Sequence, residues 1–254
     1  MGDKIIRVAV GLSGGVDSSV AAALLKEEGY DVIGLSMEIF DGPAGMEQPE
    51  RHACYGPNER EDIERAAAVC KKLDVPFLTI DLKKEYGDHV IKYFRDEYLA
   101  GRTPNPCIVC NARLKFGFLL EKARESGIDF DLFATGHYAR VEKSGGRPVL
   151  KKALDVSKDQ SYFLYALSPL QLSRTLFPIG PYKNISPSIV MMPLGRRKFE
   201  YVNVIPCHYI FLNPPCLNFY RRYRLEPQNF IFPCPCLVYT LELNRYSKSQ
   251  SRPF

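Results

Sequence analysis

Cys107 and Cys110 stand at CxxC spacing in the run Gly101-Arg102-Thr103-Pro104-Asn105-Pro106-Cys107-Ile108-Val109-Cys110-Asn111. They follow a proline-rich loop and precede a predicted helix capped by Asn111. A helix N-terminus lowers a thiol's pKa and favours the reactive thiolate. On spacing alone the pair reads as a redox couple, half of a zinc site, ligands of an iron-sulfur cluster, or two small buried residues. A zinc knuckle needs a second pair, and the closely spaced candidates, Cys234 and Cys236, fall in a C-terminal stretch of different composition.

A second constellation is Gly11-Leu12-Ser13-Gly14-Gly15-Val16-Asp17-Ser18-Ser19. It lies between a predicted strand and a predicted helix, where backbone N–H groups and the helix N-terminus favour an anion. The glycines let the backbone approach phosphate oxygens, and the serines add hydroxyl donors. The Gly-Lys-Ser/Thr ending of a Walker loop is missing, and so is a dinucleotide fingerprint. Ser-Gly-Gly-x-Asp-Ser resembles the PP-loop of ATP pyrophosphatases, which release pyrophosphate and transfer AMP to an oxygen. In that resemblance Asp17 helps hold magnesium on the pyrophosphate, and Met37, at the end of the second strand, meets adenine.

These groups need a frame that brings loops together. Ile5 to Leu12 reads as a strand, Asp17 to Glu28 as a helix closed by Gly29, and Asp31 to Met37 as a strand. Asn58-x-x-Glu61 looks like a capping box opening a helix to Leu73, followed by a strand from Pro76 to Asp81. Helices are predicted from Lys84 to Ala100 and from Asn111 to Ser126, a strand from Asp131 to Thr135, and a short helix from Ser168-Pro169. Gly145-Gly146 marks the turn of a hairpin. Strands alternating with helices predict an α/β fold, a doubly wound parallel sheet whose ligands sit beyond the strand C-termini.

Three further motifs accompany the cysteine loop: Lys115-Phe116, Ala134-Thr135-Gly136-His137-Tyr138-Ala139-Arg140 and Lys158-Asp159-Gln160-Ser161-Tyr162-Phe163-Leu164. Together with Asn105-Pro106-Cys107-x-x-Cys110-Asn111 they closely resemble the tRNA-specific 2-thiouridylase (MnmA) family, a PP-loop family of the adenine nucleotide alpha hydrolase type. The resemblance implies a transferase that adenylates the C2 oxygen of the wobble uridine in tRNAs for Lys, Glu and Gln. Sulfur then displaces AMP. It implies Cys110 as nucleophile, with Cys107, where most members carry Asp, as a partner thiol or cluster ligand. It implies ATP contacts at Gly11, Leu12, Ser13, Gly14, Gly15, Val16, Asp17, Ser18, Met37 and Gly136. Asn105, Pro106 and Cys107 match the segment facing the target base, and His137, Lys158, Asp159 and Gln160 match tRNA contacts. ATP and magnesium are the implied cofactors, with an iron-sulfur cluster as an alternative way to handle sulfur. The implied partners are tRNA and a sulfur-donor protein.

Without those motifs His137 would be a satisfied histidine at a strand end and Lys158 a solvated charge. Arg113, Lys115, Arg140, Lys151 and Lys152 are scattered cations that add phosphate contacts only weakly. Cys70 reads as helix core, and Cys54, beside His52 in a long loop, is a further candidate for the chemistry.

Composition bounds the rest. With 254 residues, 46% hydrophobic and 25% charged, the chain can bury one substantial core. No apolar run is long enough to span a bilayer and no secretory signal opens the chain, so a cytoplasmic protein with reduced thiols is expected. The net charge of +5 is uneven: residues 185–254 carry +6, leaving −1 for the rest. That stretch holds nine Pro, four Cys, one Gly and no Ala or Asp. Proline at this density prevents long helices and central strands.

The expected organisation is therefore a catalytic domain over residues 1–184 and an irregular tail over 185–254. The tail reads either as a natural loop-rich annex or, the favoured reading, as sequence translated out of frame. The family's second cysteine, in a Ser-Gln-Asp-x-Cys-Phe-like segment, has no match; Cys207 lies in an unrelated context. Two competing functions remain: another PP-loop adenylating ligase or amidotransferase, and a non-catalytic module that binds ATP or tRNA.

Overall fold

The apolar run before the glycine loop forms β1 (Arg7–Gly11), the centre of a parallel sheet. The computed structural model describes residues 5–42 and 56–183. Around β1 lie β2 (Asp31–Glu38), β3 (Phe77–Asp81), β4 (Leu132–Thr135) and β7 (Thr175–Leu176), in the order β3-β2-β1-β4-β7. Val8 is in register with Val32 on one side and Leu132 on the other. Side chains alternate across a strand, so Val8 and Val10 face one layer and Ala9 the other. Burial on both faces is why β1 reads as an unbroken apolar run.

One face is covered by α1 (Val16–Glu27) and α2 (Glu59–Leu73), whose Ala22, Ala23, Leu25, Ala66, Cys70 and Leu73 pack with Val8 and Val10. The other face is covered by α3 (Lys83–Tyr86) and a π-helical turn over Gly87–Ile91, from which α4 (Lys92–Leu99) continues with no buried residue. Beside them run α5 (Pro106–Val109), a π-helical stretch over Cys110–Phe118, and α6 (Leu119–Glu125). Tyr86, Val90, Leu114, Leu119 and Ala123 enclose Ala9, Ile33, Leu35 and Phe133 on this side. The doubly wound parallel sheet expected from the alternation is present.

The hairpin formed by β5 (Ala139–Ser144) and β6 (Arg147–Lys152) turns at Gly145-Gly146, both at positive φ. A short α7 (Pro169–Ser173) begins with a full capping box between Ser168 and Gln171. Among the described residues no helix is long and apolar enough to cross a membrane.

Two expected caps are corrected. Asn58 makes no side-chain cap bond; Glu59 turns its carboxylate instead to the N–H groups of Ile39 at 2.8 Å and Phe40 at 3.2 Å. The cysteine helix begins at Pro106 rather than after Asn111, because proline is preset for the first helical position and has no N–H to leave unpaired. Cys107 and Cys110 therefore sit on the helix and not before it. Asn111 is buried in the π-helical stretch and donates Nδ2–H to the Phe163 carbonyl at 3.2 Å. Gln171 Nε2 donates to the carbonyls of Ala112 and Phe116 at 3.1 and 2.9 Å, tying α7 to the same stretch.

His52 and Cys54, and the tail with Cys207, Cys234 and Cys236, lie outside the described residues.

Candidate nucleotide site

Strand order reverses between β1 and β4, and diverging connections at such a point leave a crevice at the strand C-termini. A cavity of about 260 Å³ opens there. Counting Gly11, nine of the ten residues expected to contact ATP line it: Leu12, Ser13, Gly15, Val16, Asp17 and Ser18 of the loop and α1, with Met37 and Gly136. Gly14 does not.

The glycine loop is shaped by two close approaches. Gly14 has φ +71, and a Cβ there would meet the Asp62 carbonyl oxygen at 2.3 Å. Gly136 brings the β4–β5 connection onto the first turn of α1, leaving no room for a side chain. Inside the loop Ser18 Oγ donates to the Gly15 carbonyl at 3.1 Å and lies 3.3 Å from the Ser13 N–H. Ser19 Oγ also donates to Gly15, at 2.8 Å. The serine hydroxyls thus brace the loop, Ser18 Oγ taking the Ser13 N–H, and the α1 N-terminus is left to favour an anion.

Of the residues matched to tRNA contacts, His137 and Gln160 line this same cavity, while Asn105, Pro106, Cys107, Lys158 and Asp159 do not. Gln160 Oε1 accepts from the Tyr138 N–H at 3.0 Å. Asp159 is engaged locally, accepting from the Ala153 N–H and the Ser161 hydroxyl, each at 2.8 Å. His137 Nδ1 is 2.8 Å from Thr135 Oγ1, and the ring is flanked by Phe116 and Phe177. Burial, reinforced by the Lys115 charge, pushes the imidazole pKa down to about 3, so the ring is neutral.

Unfolded, His137 titrates near 6.5; the unfolded chain therefore takes up a proton that the folded state refuses. Its contribution to stability is complete above pH 6.5 and is lost as pH falls toward 3. A His137→Gln variant is expected to lose less of its melting temperature than the unaltered chain over that acid range; parallel acid-side losses would refute this.

Glu59, Asp62 and Ile63 of α2 are among the lining residues that the sequence had not singled out for the site. Glu59 and Asp62 sit in the first turn of α2, a helix that carries no nucleotide motif. Lys115, part of the Lys115-Phe116 motif and in sequence also one of several scattered cations, is the one Lys or Arg among the lining residues. The other cations of that group behave as surface: Arg140 and Lys151 approach Glu142 at 3.0 and 4.0 Å.

Cys107 is exposed, whereas Cys110 is buried in the core cluster with Leu114 and Phe116. Cys70 is buried in α2 and its thiol is pushed up to about 11 by that burial. Brief treatment of the native chain with iodoacetamide, read by peptide mass spectrometry, is expected to label Cys107 and spare Cys70 and Cys110. Labelling of Cys110 at the rate of Cys107 would contradict this packing. Among the described residues no three His, Cys, Asp or Glu side chains group to hold a metal ion.

The sequence model for the tRNA methyl transferase HUP domain matches residues 6–186. A tRNA-specific 2-thiouridylase MnmA 2 of Clostridium botulinum (strain Hall) is 48% identical over 176 residues, 69% of this chain and 46% of that protein. MnmA 2 of Thermoanaerobacter sp. (strain X514) is 49% identical over 179 residues, 70% of this chain and 48% of that protein. MnmA 1 of Caldanaerobacter subterraneus subsp. tengcongensis is 48% identical over 207 residues, 79% of this chain and 56% of that protein. The chain spans about half the length of the curated relatives it matches.

Proposed function

The chain belongs to the tRNA methyl transferase HUP domain family, and from that premise we propose that it activates a tRNA uridine with ATP so that sulfur replaces the oxygen on C2. The uridine C2 oxygen attacks the α-phosphorus of ATP, and pyrophosphate leaves. A sulfur nucleophile then attacks C2, and AMP departs with the former uridine oxygen. The observation that carries the reading is convergence: the glycine loop, Met37, Gly136 and His137 all line one cavity at the sheet's switch point. The 2-thiouridylases that share nearly half of the aligned residues support the substrate class.

In this reading the glycine loop and the α1 N-terminus bind the pyrophosphate. Met37, with Leu35 and Ile39, offers the adenine an apolar wall. Lys115 neutralises charge that develops on the phosphates, the part a Walker lysine would otherwise play. Magnesium fits the donor set: it is held mainly by substrate phosphates and needs only one or two carboxylates. Asp17, exposed at the cavity with Oδ1 taken by Tyr138, would supply one. The ion would neutralise the leaving pyrophosphate.

Cys110 serves as the thiol nucleophile that attacks the inner sulfur of the donor protein's persulfide, forming a mixed disulfide and releasing the sulfide that attacks C2; because Cys110 is buried, the Pro106–Phe118 segment must shift before it reacts. The wobble uridine of tRNAs for Lys, Glu and Gln is the proposed target, a sulfur-donor protein the partner, and the cytoplasm the compartment. A domain over residues 1–184 carries this chemistry, with 185–254 a tail outside it. For an iron-sulfur cluster, Cys107 and Cys110 are two of the four thiolates usually taken; anaerobic reconstitution giving an iron-free, colourless protein would exclude it.

The deciding experiment is isotope exchange between pyrophosphate and ATP, with and without tRNA transcripts bearing the target uridine. Exchange that requires such tRNA is the expected result. Binding of ATP and tRNA without exchange would favour the non-catalytic module, and exchange independent of tRNA would favour a different adenylating ligase.

A further inference from the structure

Asp17 is held from behind by two residues of other segments. Tyr138, 3% exposed, donates its hydroxyl to Asp17 Oδ1 at 2.9 Å. The same hydroxyl oxygen accepts from Lys158 Nζ at 3.4 Å, and the ammonium stands 5.1 Å from the Tyr138 ring centroid. The ring is clamped among Val20, Ala21, Leu24 and Ile179. Its backbone is pinned on both sides by Gln160, which receives its N–H at 3.0 Å and donates to its carbonyl at 2.9 Å. The hydroxyl therefore has one place to be, and that place is beside the carboxylate at the head of α1.

We propose that Tyr138 is a positioning residue: with Lys158 behind it, its hydroxyl orients Asp17 so that Oδ2 faces the metal ion on the pyrophosphate, coupling the Lys158 segment to the nucleotide cavity. The inference rests on the ATP reading above. Asp17 is exposed in the first turn of a helix, where a free carboxylate samples several rotamers or folds back onto the N–H groups that the phosphate needs. A fixed donor on Oδ1 removes that freedom. Hydrogen bonds in a chain polarise one another, so lysine donating to tyrosine strengthens tyrosine donating to aspartate. Lys158 itself is exposed, so an RNA phosphate that engaged it would bear on the Asp17 contact through a single intervening group.

Packing alone would be served equally by phenylalanine, which gives the test. ATP binding is measured by calorimetry while magnesium is titrated, using the full chain and its Tyr138→Phe, Lys158→Met, Lys158→Arg and doubly substituted Tyr138→Phe/Lys158→Met variants. In EDTA, Tyr138→Phe is expected to bind ATP like the unaltered chain. It should need about tenfold more magnesium to reach the same gain in affinity, the loss of one charge-assisted hydrogen bond. The double variant should be no worse than Tyr138→Phe, since both act on one relay. Unchanged magnesium dependence in Tyr138→Phe, or additive effects in the double variant, would overturn the proposal while leaving ATP binding intact. Should Tyr138→Phe fail to fold, the lysine pair decides: a shift in Lys158→Met that Lys158→Arg restores supports the relay, and no shift refutes it. If the unaltered chain binds no ATP with or without magnesium, the ATP reading falls and the relay with it.

Discussion

Replacing Gly136 by alanine is expected to eject the nucleotide and lower the melting temperature together. A Cβ at this position would lie 2.4 Å from the Ser18 nitrogen, 2.6 Å from the Asp17 carbonyl carbon and 2.7 Å from the Ser18 Cα. All three atoms are backbone, so no rotamer change relieves the contact. α1 cannot retreat, because every residue from Ser18 to Leu25 is buried between the sheet and its neighbours. The β4–β5 connection must move instead, taking Thr135, His137 and Tyr138 with it.

Overpacking of this kind costs about 1–3 kcal/mol and sometimes more. In a domain of this size that is about 2–4 °C for each kcal/mol. Because the displaced segment lines the cavity, ATP affinity should fall by at least about tenfold, the equivalent of 1.4 kcal/mol. Gly87→Ala provides the contrast. Its φ of −57 suits any residue and nothing lies within 4 Å of the added methyl. That substitution should raise stability by up to about 1 kcal/mol through the unfolded state. Calorimetric melting and ATP titration of the two variants decide the matter; a Gly136→Ala protein that melts and binds like the unaltered chain would rule out the close approach.

Lys115→Met should lower tRNA-dependent pyrophosphate release by about 10²–10³-fold, the range found when one preorganised stabiliser of developing charge is removed. The argument is one of charge balance. Asp17, Glu59 and Asp62 line the cavity, and among the lining residues Lys115 alone carries the opposite sign. The glycine loop itself contains no lysine. Methionine preserves the length and apolar stem of the side chain, so core packing next to Phe116 is kept.

A second readout separates lost charge from lost structure. The Lys115 charge is the lesser of two causes that lower the His137 pKa, burial being the greater. Removing it should raise the His137 titration, followed by NMR, without bringing it back to the ordinary value. An unmoved His137 together with unimpaired pyrophosphate release would show that Lys115 plays no part in the cavity's electrostatics.

The chemistry-bearing segments were legible in the sequence wherever chemistry and local backbone depend on neighbouring residues. Ser13-Gly14-Gly15 between an apolar run and a helix states a glycine loop at a helix start, and Ser168-Pro169 states the start of a short helix. Gly145-Gly146 likewise states a hairpin turn. The structure carries all three. Less legible were features with weak local signal. β7 is two residues long, too short to show a period. Asn111 has the composition of a cap but lies five residues inside a helix that Pro106 had already begun. The π-helical stretch that holds Cys110 follows from no propensity; its Ala112 and Phe116 carbonyls are met by Gln171, more than fifty residues downstream.

Local backbone geometry and the alternation of apolar residues are properties of short windows, and so the sequence alone settled the glycine loop, the doubly wound sheet and the families it resembles. Which charged groups share a cavity is a property of the closed fold. Lys115 entered the site, Lys158 turned toward Tyr138, and Cys110 sank into the core because strand order and helix packing brought together segments far apart in the chain. Distance in space sets each electrostatic interaction and each desolvation cost, and composition and spacing along the chain do not encode that distance.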